Sequence, residues 1–181
     1  MQRRALMTFI LGGTTVAAGS ASAQSLVQTL IDRLAGTGAG ADVFVQIAAT
    51  GNNFEIESSK VLLARSQHPQ IREFAQRMVE DHTMLARELA ALPEATTRVP
   101  SALDGQDTTK LITLRDQTDV DMLNRFYVQQ QVEAHEEAVA AYQTYAQNGE
   151  VPALKAYAQR HLPMLQQHLQ AIRALQLPRT E

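Results

Sequence analysis

The chain has 181 residues, enough for one domain, and a formal net charge of −3 with both signs spread along it, so it carries no basic patch of the kind that binds nucleic acid. Only 5% of its residues are aromatic, none is Trp, and 45% are hydrophobic, a composition that favours helices around a core over strands. There is no cysteine, which excludes a disulfide scaffold, a thiolate nucleophile and Cys-ligated metal, and leaves His, Asp and Glu as the available ligands.

Met1-Gln2-Arg3-Arg4 is a short basic start, Ala5 to Gly19 is uncharged and mainly apolar, and Ala21-Ser22-Ala23 is a small-x-small cleavage site. This is the layout of a secretory signal peptide over residues 1–23, so the mature chain is expected in the periplasm or otherwise exported across the inner membrane. The apolar run is too short and too rich in Gly and Thr to span well, and the mature chain is expected to carry no transmembrane span. Cleavage after Ala23 removes Arg3 and Arg4 and no acid, which takes the net charge from −3 to −5. Gln2 to Met7 also has the polar-Arg-Arg-x-apolar-apolar order of a twin-arginine signal, the route that exports folded proteins.

Residues 24–40 read as a short helix followed by the linker Gly36-Thr37-Gly38-Ala39-Gly40. Four long segments with helical periodicity follow. The first runs from Asp42 to Ser66, with Phe44, Ile47, Ala48, Gly51, Phe54, Ser58, Val61 and Leu62 on one stripe. The second runs from Pro69, which suits a first helical turn, to Leu92, before Pro93; its stripe is Ile71, Phe74, Ala75, Met78, Leu85, Leu89 and Leu92. The short Gln67-His68 connection makes these two antiparallel neighbours. Residues 93–118 break the pattern with Pro93, Pro100 and Gly105, and are expected to hold a short helix near Thr108–Arg115 within a longer crossover. The third segment runs from Asp119 to Gln147, with Val128, Val132, Val139, Tyr142 and Ala146 on a stripe, and Asn148-Gly149 stops it. The fourth runs from Val151 to Leu175, with Leu154, Tyr157, Ala158, Leu165, Ile172 and Leu175 inward and Pro163 expected to kink it. The expectation is an all-α domain over residues 41–177, two helical hairpins joined by a longer connection into a four-helix bundle, with Phe74, Met78, Val132 and Leu165 buried.

Ligand-type side chains interrupt all four stripes. Glu55 is four residues after Gly51 and seven before Leu62; His82 is four after Met78 and seven before Leu89; His135 is midway between Val128 and Tyr142. His161 and His168 are a heptad apart on the fourth segment. Glu55 and His82 are equidistant from the turn that joins their segments, hence level in the bundle. His135 is also near mid-bundle, and His161 and His168 miss its level by about 4.5 and 6 Å on opposite sides. Burying a carboxylate among imidazoles is costly unless the groups are hydrogen-bonded or bind metal. Two readings meet that cost. In one, Glu55 accepts hydrogen bonds from the histidines in a polar core network. In the other, Glu55, His82, His135 and His168 bind one divalent transition metal ion. Asp81 is a candidate to orient His82; His68, in a turn, and Glu133, Glu136 and Glu137 read as solvated. No Gly-rich phosphate loop, Ser-His-Asp order or HExxH motif is present.

Four stretches carry a resemblance: Gly51-Asn52-Asn53-Phe54-Glu55-Ile56-Glu57-Ser58-Ser59, Phe74 to His82 (FAQRMVEDH), Tyr127 to His135-Glu136, and Leu162 to Leu169 (LPMLQQHL). They are similar to a bacterial exported family catalogued as domain of unknown function 4142, over roughly residues 41–177. Its grouping with ferritin-like folds, and the label "putative outer membrane protein" on some members, imply a ferritin-like bundle and export but no established activity. His168, not His161, matches the family's block in the fourth segment, so His161 is expected outside the cluster. Ferritin-like di-iron proteins use a Glu-x-x-His step on two helices. Here Glu80 and Glu133 stand two residues before a His instead of three, which argues against that chemistry. The functional expectation is an exported bundle with a metal or polar-network site in its core and no reaction assigned. The alternatives are a metal-dependent oxidoreductase and an interaction module of the cell envelope.

Overall fold

The computed structural model describes residues 40–96, 98 and 105–175. The expected signal peptide and the short helix at 25–35 lie outside the described residues. The described residues are all-α, in six helices: α1 Gly40–Arg65, α2 Pro69–Ala90, α3 Pro93–Thr96, α4 Gly105–Arg115, α5 Val120–Asn148 and α6 Pro152–Ala174. None is long and apolar enough to cross a membrane.

Local chemistry sets the ends. Pro69 and Pro152 open α2 and α6, where the missing N–H costs nothing. Asp119 caps α5, its Oδ1 accepting from the backbone N–H of Asp121 (2.7 Å) and of Met122 (3.0 Å), an arrangement worth about 0.5–2 kcal/mol. Gly149 ends α5 as expected, but for a different reason. Its φ is −58°, not left-handed, and a Cβ there would stand 2.5 Å from the Tyr145 ring and carbonyl. Close approach, not backbone handedness, demands the glycine. Helix α6 runs on through Pro163, which sits on its exposed side.

The four long helices pack as a helical bundle. Short connections make α1–α2 and α5–α6 hairpins, and α1 also packs on α5 and α2 on α6. At one end Phe44 stacks on Tyr145 (centroids 4.2 Å apart) and the Tyr157 hydroxyl donates to the Leu85 carbonyl (3.0 Å). At the other, the Ser59 and Tyr127 hydroxyls meet at 2.8 Å and Arg65 donates to the Arg115 carbonyl (3.2 Å). Helix α5 therefore runs parallel to α2. The connection between them, which holds α3 and α4, carries the chain back along the bundle, with α4 lying against α1 and α5.

The interior is two apolar clusters with a polar layer between them. Phe44, Leu85, Leu89, Tyr142, Tyr145, Tyr157 and Leu165 fill one end. Leu62, Ile71, Phe74, Met78, Leu114, Tyr127 and Ile172 fill the other. Phe74, Met78 and Leu165 are buried as expected, whereas Val132 is only half-buried. On α5 the buried face runs through Leu123, Tyr127, Gln131, His135, Tyr142 and Tyr145, and Val128, Val132, Val139 and Ala146 flank it. Several buried positions on that helix are polar, among them Asn124 and Gln131. A search for apolar periodicity therefore slides onto the neighbouring valines.

Candidate metal centre

The polar layer is built by four helices. Helix α1 contributes Asn52, Glu55, Ser58 and Ser59; α2 contributes His82; α5 contributes Gln131 and His135; α6 contributes His168. His82, His135 and His168 are only 3%, 1% and 3% exposed, so their imidazoles are largely desolvated.

Each ring is tied at one nitrogen. His82 Nδ1 donates to Asn52 Oδ1 (2.9 Å), His135 Nδ1 to the Gln131 carbonyl (2.9 Å), and His168 Nε2 to Asp81 Oδ2 (2.9 Å). An oxygen acceptor places the proton on the tied nitrogen and leaves the other one as a lone-pair donor. Those other nitrogens, Nε2 of His82, Nε2 of His135 and Nδ1 of His168, are buried and have no hydrogen-bond partner. Each histidine offers one ring nitrogen to a group whose members all lie within 4.8 Å of one another.

The ring centroids are 5.6 Å apart for His82–His135, 5.6 Å for His82–His168 and 5.5 Å for His135–His168. The centre of this near-equilateral triangle lies about 3.2 Å from each centroid, so a ring nitrogen turned toward it, about 1.1 Å from its centroid, would stand about 2.1 Å away, the length of a metal–nitrogen bond. The tied nitrogens match the usual support of a ligating histidine, which gives its second N–H to a carboxylate, amide or backbone carbonyl.

The electrostatics agree. Burial, reinforced by the other two imidazoles, holds His82 well below the ordinary histidine range. Burial pushes His135 down to about 4 against the opposing bond to Gln131, and lowers His168 against the opposing pull of Asp81. All three are neutral near pH 7, the form that ligates metal. Three lone pairs brought together in a dry interior repel one another, and a cation between them removes that repulsion.

Glu55, 3% exposed, stands beside this group. Its Oε1 is 3.4 Å from Nδ1 of His135, the tied nitrogen, and its Oε2 has no partner. Burial pushes its carboxyl up to about 8 against a hydrogen bond from Gln131, so near neutrality the pair is a contact between neutral groups, not an ion pair. Of the four residues read as ligands, the structure brings together the nitrogens of three, with Glu55 adjacent to His135.

Asp81 supports His168 on α6, not its neighbour His82, because consecutive helical residues point about 100° apart. His161 is outside the group; its Nε2 bonds Glu88 Oε2 (2.9 Å) and its ring lies against Tyr157. His68 is half-buried where a solvated ring was expected, with its Nδ1 buried and unpartnered. Glu136 pairs with Arg173, and Glu133 accepts from Gln129 at 3.0 Å. Asn52 and Gln131 are site residues that apolar periodicity does not single out. Their positions carried a signal, since Asn52 is one turn before Glu55 and Gln131 one turn before His135, both on the inward face.

Comparison with curated proteins and with solved structures finds no match. A family model described as "Domain of unknown function (DUF4142)" matches residues 33–175, most of the chain, and the protein belongs to that family.

Proposed function

We propose that this protein is an exported, ferritin-like four-helix bundle that binds one divalent transition metal ion through His82, His135 and His168, with Glu55 as the carboxyl beside the centre. The observation that carries the reading is the set of three buried, neutral imidazoles, each tied at one nitrogen and without a partner at the other, whose potential ligand atoms lie within 4.8 Å of one another. Imidazole ligation suits zinc, copper, iron or nickel rather than magnesium or calcium. A closed polar network is the weaker reading. Such a network would satisfy the inner nitrogens, and Glu55 meets only the tied side of His135.

Metal analysis of protein purified from the periplasm is the test. About one equivalent of transition metal per chain is expected, falling to background in His82→Ala and His168→Ala variants and unchanged in His161→Ala. Protein that is metal-free as isolated, and that takes up none of these ions when offered, overturns the reading. Export is checked on the same preparation by mass spectrometry. An N-terminus at Gln24 supports cleavage after Ala23, and an intact Met1 in the membrane pellet defeats it. Replacing Arg3 and Arg4 by Lys blocks export if the twin-arginine route is used.

A further inference from the structure

The two apolar clusters do not close evenly on the histidines. Toward the α1–α2 connection, Phe74 lies edge-on to His135 with centroids 6.1 Å apart, and Met78 is fully buried one turn along α2. On the opposite side is a cavity of about 20 Å³ walled by Gly51, Asn52, Glu55, His82, His135 and Tyr142. Two of these residues bring polar atoms with no protein partner within hydrogen-bond distance, Glu55 Oε2 and Asn52 Nδ2, the latter turned toward the Tyr157 hydroxyl at longer range, and both side chains are only 3% exposed. Asn52 cannot turn that amide elsewhere without releasing His82, because its Oδ1 accepts from the His82 ring.

We propose that the metal centre keeps a coordination position open on this side, and that the position takes a small inorganic ligand held between the metal, Asn52 Nδ2 and Glu55 Oε2. The proposal rests on the metal reading above and adds to it a second binding site with its own partners. Three histidines would supply three nitrogen ligands to an ion, and no fourth ligand-type side chain joins that group among the described residues. Phe74 and Met78 belong to the apolar cluster on one side of the histidines, and the cavity, walled by His82 and His135, lies toward the other cluster. Three protein ligands and one open position is the arrangement of metal sites that bind an exogenous molecule, whereas closed four-ligand sites are structural. The volume sets the class of ligand. A cavity needs about 10–15 Å³ to hold a single water-sized body. One to three atoms therefore fit here, and an organic substrate does not. The wall has a gap at Gly51, where an added Cβ would meet nothing within 4 Å.

The test loads the full chain with Co(II), whose visible bands report coordination, and titrates it with azide. Absence of any Co(II) spectrum sinks the metal reading itself, and this proposal with it. With Co(II) bound, a saturable change in the bands with azide is expected, and imidazole, too large for the cavity, should produce none. Bands that stay unchanged at saturating azide mean a closed centre and overturn only the present proposal. Bands that respond equally to imidazole and azide overturn the size limit. Gly51→Leu adds a side chain at the cavity wall without a clash at Cβ. It should weaken azide at least tenfold while Co(II) affinity stays within twofold, and equal azide affinity in the two proteins refutes the placement of the ligand in this cavity.

Discussion

The Asp81 carboxylate reaches across from α2 to α6 and accepts a hydrogen bond from Nε2 of His168 at 2.9 Å, while the next residue, His82, points into the bundle core. Adjacent positions of one helix thus supply one member of the histidine group and the support of another. Asp81 is part-exposed, with a side-chain exposure of 29%, so its removal opens no cavity in either apolar cluster. Replacing a carboxylate that orients a ligating histidine costs about 10–100-fold in metal affinity. That loss is expected for Asp81→Ala, measured by competition with a chromophoric chelator, while the helical circular dichroism stays unchanged. An unaltered affinity would show that His168 needs no support from α2.

Metal should also stabilise the fold. A ligand that binds only the folded state adds about 2.7 kcal/mol at one hundred times its dissociation constant, and for a domain of this size that raises the melting temperature by about 5–10 °C. His82→Ala should abolish the rise, because it removes one of three converging nitrogens. His161→Ala should keep it, because His161 bonds Glu88 away from the group. Equal metal-dependent shifts in the two variants would place the metal elsewhere.

Phe74 tests the apolar floor beneath the site. It is 4% exposed and packs edge-on against both Tyr127 (centroids 6.5 Å apart) and His135. Phe74→Ala should cost about 3–5 kcal/mol by urea denaturation. A loss below about 1 kcal/mol would mean that the floor re-forms without it.

The sequence exposed the helices and the inward histidines because both follow from a 3.6-residue repeat, which needs no knowledge of partners. The stripe of α2 is legible in full because every buried position before His82 is apolar, from Ile71 to Met78. On α5 the reading slipped by one residue because Gln131 and Asn124 occupy the buried face. Height was the less reliable coordinate. Counting residues from the α5–α6 turn leaves His168 about 6 Å from the level of His135, yet their rings are 5.5 Å apart. Helical side chains lean toward the N-terminus of their own helix, and on two antiparallel helices joined at that turn the lean carries these two rings together. The same lean carries His161 away from His135. Hydrogen-bond partners such as Asp81 for His168 depend on how α2 and α6 face each other, and no single-helix pattern contains that information.

The pH dependence of the metal-free protein follows from four buried groups. His82, His135 and His168 have folded-state values below the ordinary 6.5, with His135 at about 4. Below pH 6.5 the unfolded chain binds protons that the folded chain refuses, for His135 down to about 4, so their contribution is complete above pH 6.5 and is lost as the pH falls. For His135 alone the full loss is about 3 kcal/mol. Glu55 acts in the opposite sense. Its folded value is raised from 4.5 to about 8, so its contribution is complete below 4.5 and is lost as the pH rises through 8. Between 4.5 and 6.5 His82 and His135 together outweigh one carboxyl, with His168 acting in their sense, and stability climbs with pH; above 6.5 only Glu55 still acts and stability declines. These groups therefore place the maximum near pH 6.5, and urea unfolding of metal-free protein at pH 5, 6.5 and 8 should show it. In Glu55→Gln, which keeps the shape and cannot ionise, the decline from 6.5 to 8 should disappear while the acid limb remains. A decline of the same size in the variant would mean that another group, and not Glu55, titrates inside the fold.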